Sequence, residues 1–146
     1  MGYSEPDENS EIFEKELRYL LVNQYFCFNS PVWYNLGLEG RGGLSACFIQ
    51  SVEDSMESIK ELQASETSLF LFGSGTGTNY STLREKDAPL SKGGTSSGPL
   101  PFIKGLDANA GAIKSGGKTR RAARMVILNV DHPNIEEFID TKVLAE

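Results

Sequence analysis

LFLFGSGTGTNYSTLR, residues 69–84, is the stretch whose reading decides the fold. An apolar run, Leu69 to Phe72, meets glycines at every second position: Gly73, Gly75 and Gly77. With no Cβ in the way, alternate glycines let the backbone come within contact distance of a ligand. Backbone N–H groups and the hydroxyls of Ser74, Thr76 and Thr78 can then donate to a phosphate or a sugar, and a basic residue, Arg84, follows. The same pattern also suits a tight turn or a bulge between two strands, and spacing alone does not separate the two readings. It is not the dinucleotide fingerprint, because the third glycine comes one residue too early.

Apolar runs lie on either side of this stretch. SACFI, residues 45–49, reads as a short buried strand, and MVILNV, residues 125–130, as one buried on both faces of a sheet. A helical period runs from about Asn9 to Phe26, with Ile12, Phe13, Leu17, Leu20, Leu21 and Gln24 near one face. Asn9 or Ser10 suits its cap, and Glu14 is spaced to pair with Arg18. In FNSPVWYN, residues 28–35, Pro31 stops a helix and pushes Ser30 towards an extended conformation. A glycine-rich turn, Gly37 to Gly43, follows. Asp54 or Ser55 caps a second helix carrying Met56, Ile59 and Leu62, with Glu57 completing a capping box from Asp54. Residues 85–99 form a long polar loop without a period. Pro101 sits in the first turn of a third helix with Phe102, Ile103, Leu106, Ala110 and Ile113, which ends at Ser115–Gly117. Pro133 opens a last helix with Ile135, Phe138 and Ile139 inward. The alternation of helices and strands predicts an α/β fold.

With 146 residues the chain is long enough for one domain and a sizeable core. No apolar run can span a bilayer, and the acidic N-terminus is unlike a signal peptide. Two cysteines, Cys27 and Cys47, make no disulfide framework, and a cytoplasmic location is expected. The net charge is −6 but unevenly spread. Residues 1–66 hold twelve acids and four bases, whereas residues 67–146 hold eight acids and ten bases. Lys114, Lys118, Arg120, Arg121 and Arg124 fall in eleven residues with no acid among them. Such a local cluster on an acidic chain points to a defined anionic ligand rather than to a nucleic-acid face, so no direct DNA binding is expected.

Other motifs carry less. SGGKT, residues 115–119, resembles the end of a phosphate-binding P-loop, but the glycine required five residues before Gly117 is Ala112. The order of helix and strand around it is also reversed. His132, the only histidine, has no cluster of ligands around it and reads as a capping or packing residue, so no metal site is expected. Glu136 and Glu137 suit the solvated first turn of a helix. Cys27 and Cys47 each read, on composition alone, as small buried hydrophobes.

Taken together, FNSPVWYN (28–35), SACFI (45–49), EDSM (53–56), FGSGTGTN (72–79), KSGGKTRRAAR (114–124) and VILNVDHP (126–133) resemble one family in order and spacing. It is the large catalytic subunit of ribonucleotide reductases, and NSPVW with SGGKTRRAA resembles class II, the adenosylcobalamin-dependent type. The resemblance covers about residues 10–142. It implies an α/β fold that is part of a ten-stranded α/β barrel, with residues 1–9 frayed and 10–146 forming the first part of that barrel. Ser30, Ala46, Cys47 and Gly75 match positions lining the substrate ribose and phosphate. Cys47 matches the first redox-active cysteine of the pair that supplies two electrons to the 2′-carbon.

Asp54, Ser55, Met56 and Arg84 match the specificity site, where a deoxynucleoside triphosphate or ATP binds as allosteric effector. Residues 85–97 match one effector loop. Lys114, Lys118, Arg120 and Arg121, within 114–124, match a second that passes effector identity to the substrate. The implied partners are a ribonucleoside di- or triphosphate, the effector, the rest of the reductase and a second copy in a homodimer, with no membrane. In that family the cobalamin starts a thiyl radical that takes the 3′-hydrogen. The radical cysteine, the second redox cysteine and most of the cobalamin site fall beyond Glu146. The chain is therefore expected to be a fragment that is inactive alone. A non-catalytic deoxynucleotide-binding regulatory module is the alternative.

Overall fold

The computed structural model describes residues 8–38, 43–113 and 122–143. Three strands run parallel: β1 (Cys47–Ser51), β2 (Gly75–Asn79) and β5 (Arg124–Ile127), in the spatial order β1-β2-β5. Cys47 is level with Gly75 and Ser51 with Asn79, while Thr76 is level with Arg124 and Asn79 with Ile127. Each parallel step needs a crossover. The first is α3 (Met56–Leu71), and the second contains α4 (Pro99–Ala112). Between β2 and α4 lies an antiparallel hairpin, β3 (Lys86–Pro89) and β4 (Thr95–Ser97). The chain begins with α1 (Glu8–Val22) and α2 (Ser30–Asn35) and closes with α5 (Ile135–Val143).

Helices α3 and α4 pack on one face of the sheet. The core there holds Val52, Ile59, Leu62, Tyr80, Leu83, Ile103, Leu106 and Leu128, flanked by Phe102, Val126, Ile135 and Phe138. The opposite face carries Cys47 and Ile49, Gly75 and Gly77, Met125 and Ile127, and is bare among the described residues. Ile49 is 96% exposed. The architecture is thus α/β, an open three-stranded piece rather than a closed barrel.

Several local expectations change. Leu69–Leu71 end α3 rather than start a strand. The helix closes in a Schellman turn: Gly73 N–H donates to Phe70 O (2.9 Å) and Ser74 N–H to Leu69 O (3.1 Å). Gly73 sits at φ 80°, where only glycine is at ease, so the helix cap accounts for the glycine there. Helix α1 stops at Val22, and Asn9 and Ser10 lie inside it rather than at its cap. Gln24, expected on its face, takes a left-handed turn conformation (φ 60°). Glu14 does pair with Arg18 (2.9 Å).

Pro31 opens α2 instead of blocking it, and Ser30 is that helix's first residue. Ser55, not Asp54, caps α3: its Oγ accepts from Ser58 N–H (3.1 Å), while Ser58 Oγ accepts from Glu53 N–H (2.9 Å). Glu57 pairs with Lys60 instead of closing a box. Residues 85–99 are a hairpin, not a structureless loop. Helix α4 ends at Ala112, and the expected 115–117 stop lies outside the described residues, as do residues 1–7 of the N-terminus expected to fray to residue 9, whereas Glu8 and Asn9 belong to α1. Strands β1 and β5, expected to be buried, are largely exposed on the bare face, and the helix residues Met56 and Ile139 are exposed as well.

Candidate functional site

The bare face is where the sheet gathers chemistry. Cys47 begins β1 and Gly75 begins β2 beside it, the two in register. Gly75 N–H donates to Ala46 O (2.7 Å) and Thr76 N–H to Ala123 O (2.9 Å), which fixes the three chains at this level. A Cβ on Gly75 would stand 3.2 Å from Ala123 O, a tight fit that would require the backbone beside it to give by a few tenths of an ångström. Ser74 Oγ–H donates to Ser45 O (2.8 Å), holding the approach to both strands. Cys47 and Cys27 are both reduced and exposed, which corrects the expectation of buried thiols. Ser30 is exposed at the start of α2, and that helix is tied to the segment ahead of β1 by Asn35 Nδ2–H donating to Gly43 O (2.8 Å).

A second cluster forms beyond the carboxyl ends of β1 and β2, the end of a parallel sheet where ligands usually bind. Arg84 Nε–H donates to Asp54 Oδ2 (2.6 Å), and Arg84 N–H to Asp54 Oδ1 (3.3 Å). Both side chains are 37% exposed, so the pair can still be reached from solvent. Ser55 and Met56 follow at the start of α3. The family resemblance grouped these four residues, and the fold brings Asp54 and Arg84 into contact across thirty positions of chain. Lys114, Lys118, Arg120 and Arg121 lie outside the described residues.

Arg124 does not belong with them. Its side chain and that of Glu66 are each only 2% exposed. Arg124 Nε–H donates to Glu66 Oε2 (3.1 Å), Nη1–H to Ile103 O (3.2 Å) and Nη2–H to the Tyr80 hydroxyl (2.5 Å). Thr76 Oγ1–H completes the group by donating to Glu66 Oε1 (3.0 Å). Arg124 thus lashes β5 to α3, α4 and the end of β2, and it is not available to a nucleotide. Burial pushes the Tyr80 hydroxyl up to about 12, and the nearby Arg124 charge only partly offsets this. Glu66 went unremarked in the sequence, yet Ile59, Leu62, Glu66 and Phe70 share one buried stripe of α3 at helical spacing. An acid on such a stripe needs a buried cation.

His132 is buried and serves the backbone. Asn134 N–H donates to its Nδ1 (3.1 Å), so Nε2 carries the proton and donates to Leu83 O (2.9 Å). The capping role expected of it holds, and among the described residues no cluster of His, Cys, Asp or Glu can hold a metal ion.

Residues 45–146 match the barrel domain of ribonucleotide reductase. The chain is 57% identical over 138 residues to a vitamin B12-dependent ribonucleotide reductase of Streptomyces coelicolor, covering 94% of this chain and 14% of that protein. A vitamin B12-dependent ribonucleoside-diphosphate reductase of Thermoplasma acidophilum is 46% identical over 118 residues, 80% of this chain and 15% of the relative. Among solved structures, the class Id ribonucleotide reductase alpha subunit of Actinobacillus ureae superposes with a TM-score of 0.70 at 24% identity. That match covers 86% of this chain and 22% of the neighbour, and speaks for the fold. The chain spans about one seventh of the length of the Streptomyces relative it matches.

Proposed function

Because the chain belongs to the ribonucleotide reductase family through its barrel domain, we propose that it is the first part of a ten-stranded catalytic barrel that reduces ribonucleotides to deoxyribonucleotides. The observation that carries this reading is the row formed by Cys47 and Gly75, an exposed thiol beside a closely packed glycine at a strand start. Ala46, Cys47, Gly75 and Ser30 line the substrate. Cys47 is one thiol of a pair that becomes a disulfide. Two thiols give two electrons and two hydrogens: one hydrogen replaces the 2′-hydroxyl on carbon, and the other leaves with that hydroxyl as water. Such a row favours this chemistry by letting the ribose come close to backbone beside the thiol.

Asp54, Ser55, Met56 and Arg84 hold a deoxynucleoside triphosphate or ATP effector, with residues 85–97 and the basic segment 114–121 as its loops. Enough of the Asp54–Arg84 pair remains exposed for a ligand to compete with either partner. Like the relatives named for it, the whole protein depends on a cobalamin. The described residues do not fit that cofactor: both ring nitrogens of the only histidine are engaged by the chain itself. Its site is assigned to the rest of the protein. The complete enzyme is a cytoplasmic homodimer, and residues 10–146 alone do not turn over.

The test uses the full reductase that carries this segment. Cys47→Ser should abolish repeated turnover with a dithiol reductant while effector binding persists. Undiminished turnover would overturn the role given to Cys47. Arg84→Ala and Asp54→Ala should weaken effector binding.

A further inference from the structure

Two side chains from the turn after β5 grip the segment that presents Arg84. His132, 7% exposed, donates from Nε2 to Leu83 O (2.9 Å). Asn134 Oδ1 accepts from Lys86 N–H (3.0 Å). The residues held are thus 83 and 86, on either side of Arg84 and Glu85. The two gripping residues are themselves locked together, because Asn134 N–H donates to His132 Nδ1 (3.1 Å). From the other side, Thr82 Oγ1–H donates to Val52 O (2.6 Å), and Asp54 takes both the backbone and the side chain of Arg84. Leu83 itself is buried in the core. Residues 82–86 therefore form a strap stretched between the loop after β1 and the turn after β5. An exposed ion pair between long side chains has little stability of its own. Its geometry has to come from the backbone beneath it, and here that backbone is fixed on the β5 side by His132 and Asn134.

We infer that His132 and Asn134 are positioning residues for the effector site: they set the strap so that Arg84 meets Asp54 and a nucleotide bound there. This rests on the effector role proposed for Arg84. It also gives β5, whose first residue is the buried Arg124, a direct mechanical link to the effector residues. The strap's two attachments differ in kind. Asn134 needs only an acceptor oxygen at Oδ1, whereas His132 needs one donor and one acceptor held by a rigid ring.

The full reductase carrying this segment is the material for the test, with each of the four deoxynucleoside triphosphates as probe in equilibrium binding. Asn134→Ala should weaken effector affinity at least tenfold, with effector-free turnover and melting temperature close to wild type, and His132→Ala should weaken affinity as much while also lowering the melting temperature, because Leu83 O and Asn134 N–H lose a buried partner. Asn134→Asp, which keeps an acceptor for Lys86 N–H, should bind within threefold of wild type. A purely structural role for Asn134 would lower the melting temperature without this split between the Ala and Asp variants. If His132→Ala does not fold, the Asn134 pair decides alone. Arg84→Ala separates the two levels of the claim. If it leaves affinity unchanged, the effector reading fails and this inference with it. If it weakens binding while Asn134→Ala stays within twofold of wild type, the strap inference alone is overturned. Equal weakening by Asn134→Ala and Asn134→Asp also overturns it.

Discussion

Removing the Arg124 guanidinium leaves the Glu66 carboxylate almost sealed from water, with Thr76 Oγ1–H and no cation beside it. Breaking a buried pair from one side costs about 3–5 kcal/mol, whereas replacing both partners by apolar groups is often neutral. Arg124→Met should therefore lower stability by about that much in urea denaturation, and Glu66→Met combined with Arg124→Met should recover most of the loss. Tyr80 gives the same cluster a pH signature. Its folded pKa, about 12, lies above the ordinary value of 10. The protonated hydroxyl is thus favoured by folding, its contribution is complete below pH 10, and it is lost as pH rises towards 12. Unfolding followed by circular dichroism, with phenolate absorbance in parallel, should show stability falling across that window, and Tyr80→Phe should flatten the fall. At this scale the sequence was legible where chemistry is local. The residues alone marked Asp54 and Ser55 as alternative caps and Arg84 as a base after the glycines, and only the family resemblance grouped them as one site. The partner of Arg124 was not legible, because nothing in a linear run of bases says that one of them turns inward 58 positions away from its acid.

Elements were legible where their period was strong and their ends chemically marked. Helix α3 shows this at one end only: Ser55 is one of its two candidate caps, whereas its stop at Gly73 reads in sequence as part of the glycine approach and not as a helix end. Ser55→Ala should cost about 1 kcal/mol in thermal unfolding, the usual loss for a capping hydroxyl. The hairpin of β3 and β4 was missed for physical reasons. Its strands have four and three residues, carry no apolar alternation and bury little. It is held instead by Leu90 N–H donating to Gly94 O (3.0 Å) and by the junction at Gly98, which leads directly into α4. Gly98 adopts φ 75°, ψ −178°, and a Cβ there would stand 3.0 Å from Lys86 N. Gly98→Ala therefore combines a backbone conformation reserved for glycine with a clash against backbone. It should destabilise by about 1–3 kcal/mol or more in the same measurement. Because Lys86 N–H is also the strap's anchor on Asn134, this change should loosen Arg84 as well.

For the whole molecule, the decisive feature is that the sheet has one covered and one bare face. The apolar run SACFI announced a buried strand and MVILNV one buried on both faces, and that reading describes a sheet larger than three strands. Ile49, Met125 and Ile127 line the bare face, and Val130, 88% exposed, follows just beyond β5. A contiguous apolar surface on a small chain marks a place where something else packs, and an unpaired outer strand invites association. In the proposed barrel that something is the rest of the reductase. Ile49→Lys separates this from simple surface stickiness. At 96% exposure the side chain touches almost nothing among the described residues, so in the 146-residue chain the substitution should change stability by no more than about 0.5 kcal/mol. It should also reduce the chain's self-association and its binding of a hydrophobic dye. In the full reductase the same lysine faces a packed interior and must be desolvated without a partner, so that protein should lose several kcal/mol of stability and most of its activity. A full-length Ile49→Lys enzyme as stable and active as wild type would mean that the bare face stays open in the complete protein. The barrel would then have to close by some route other than across Cys47 and Gly75.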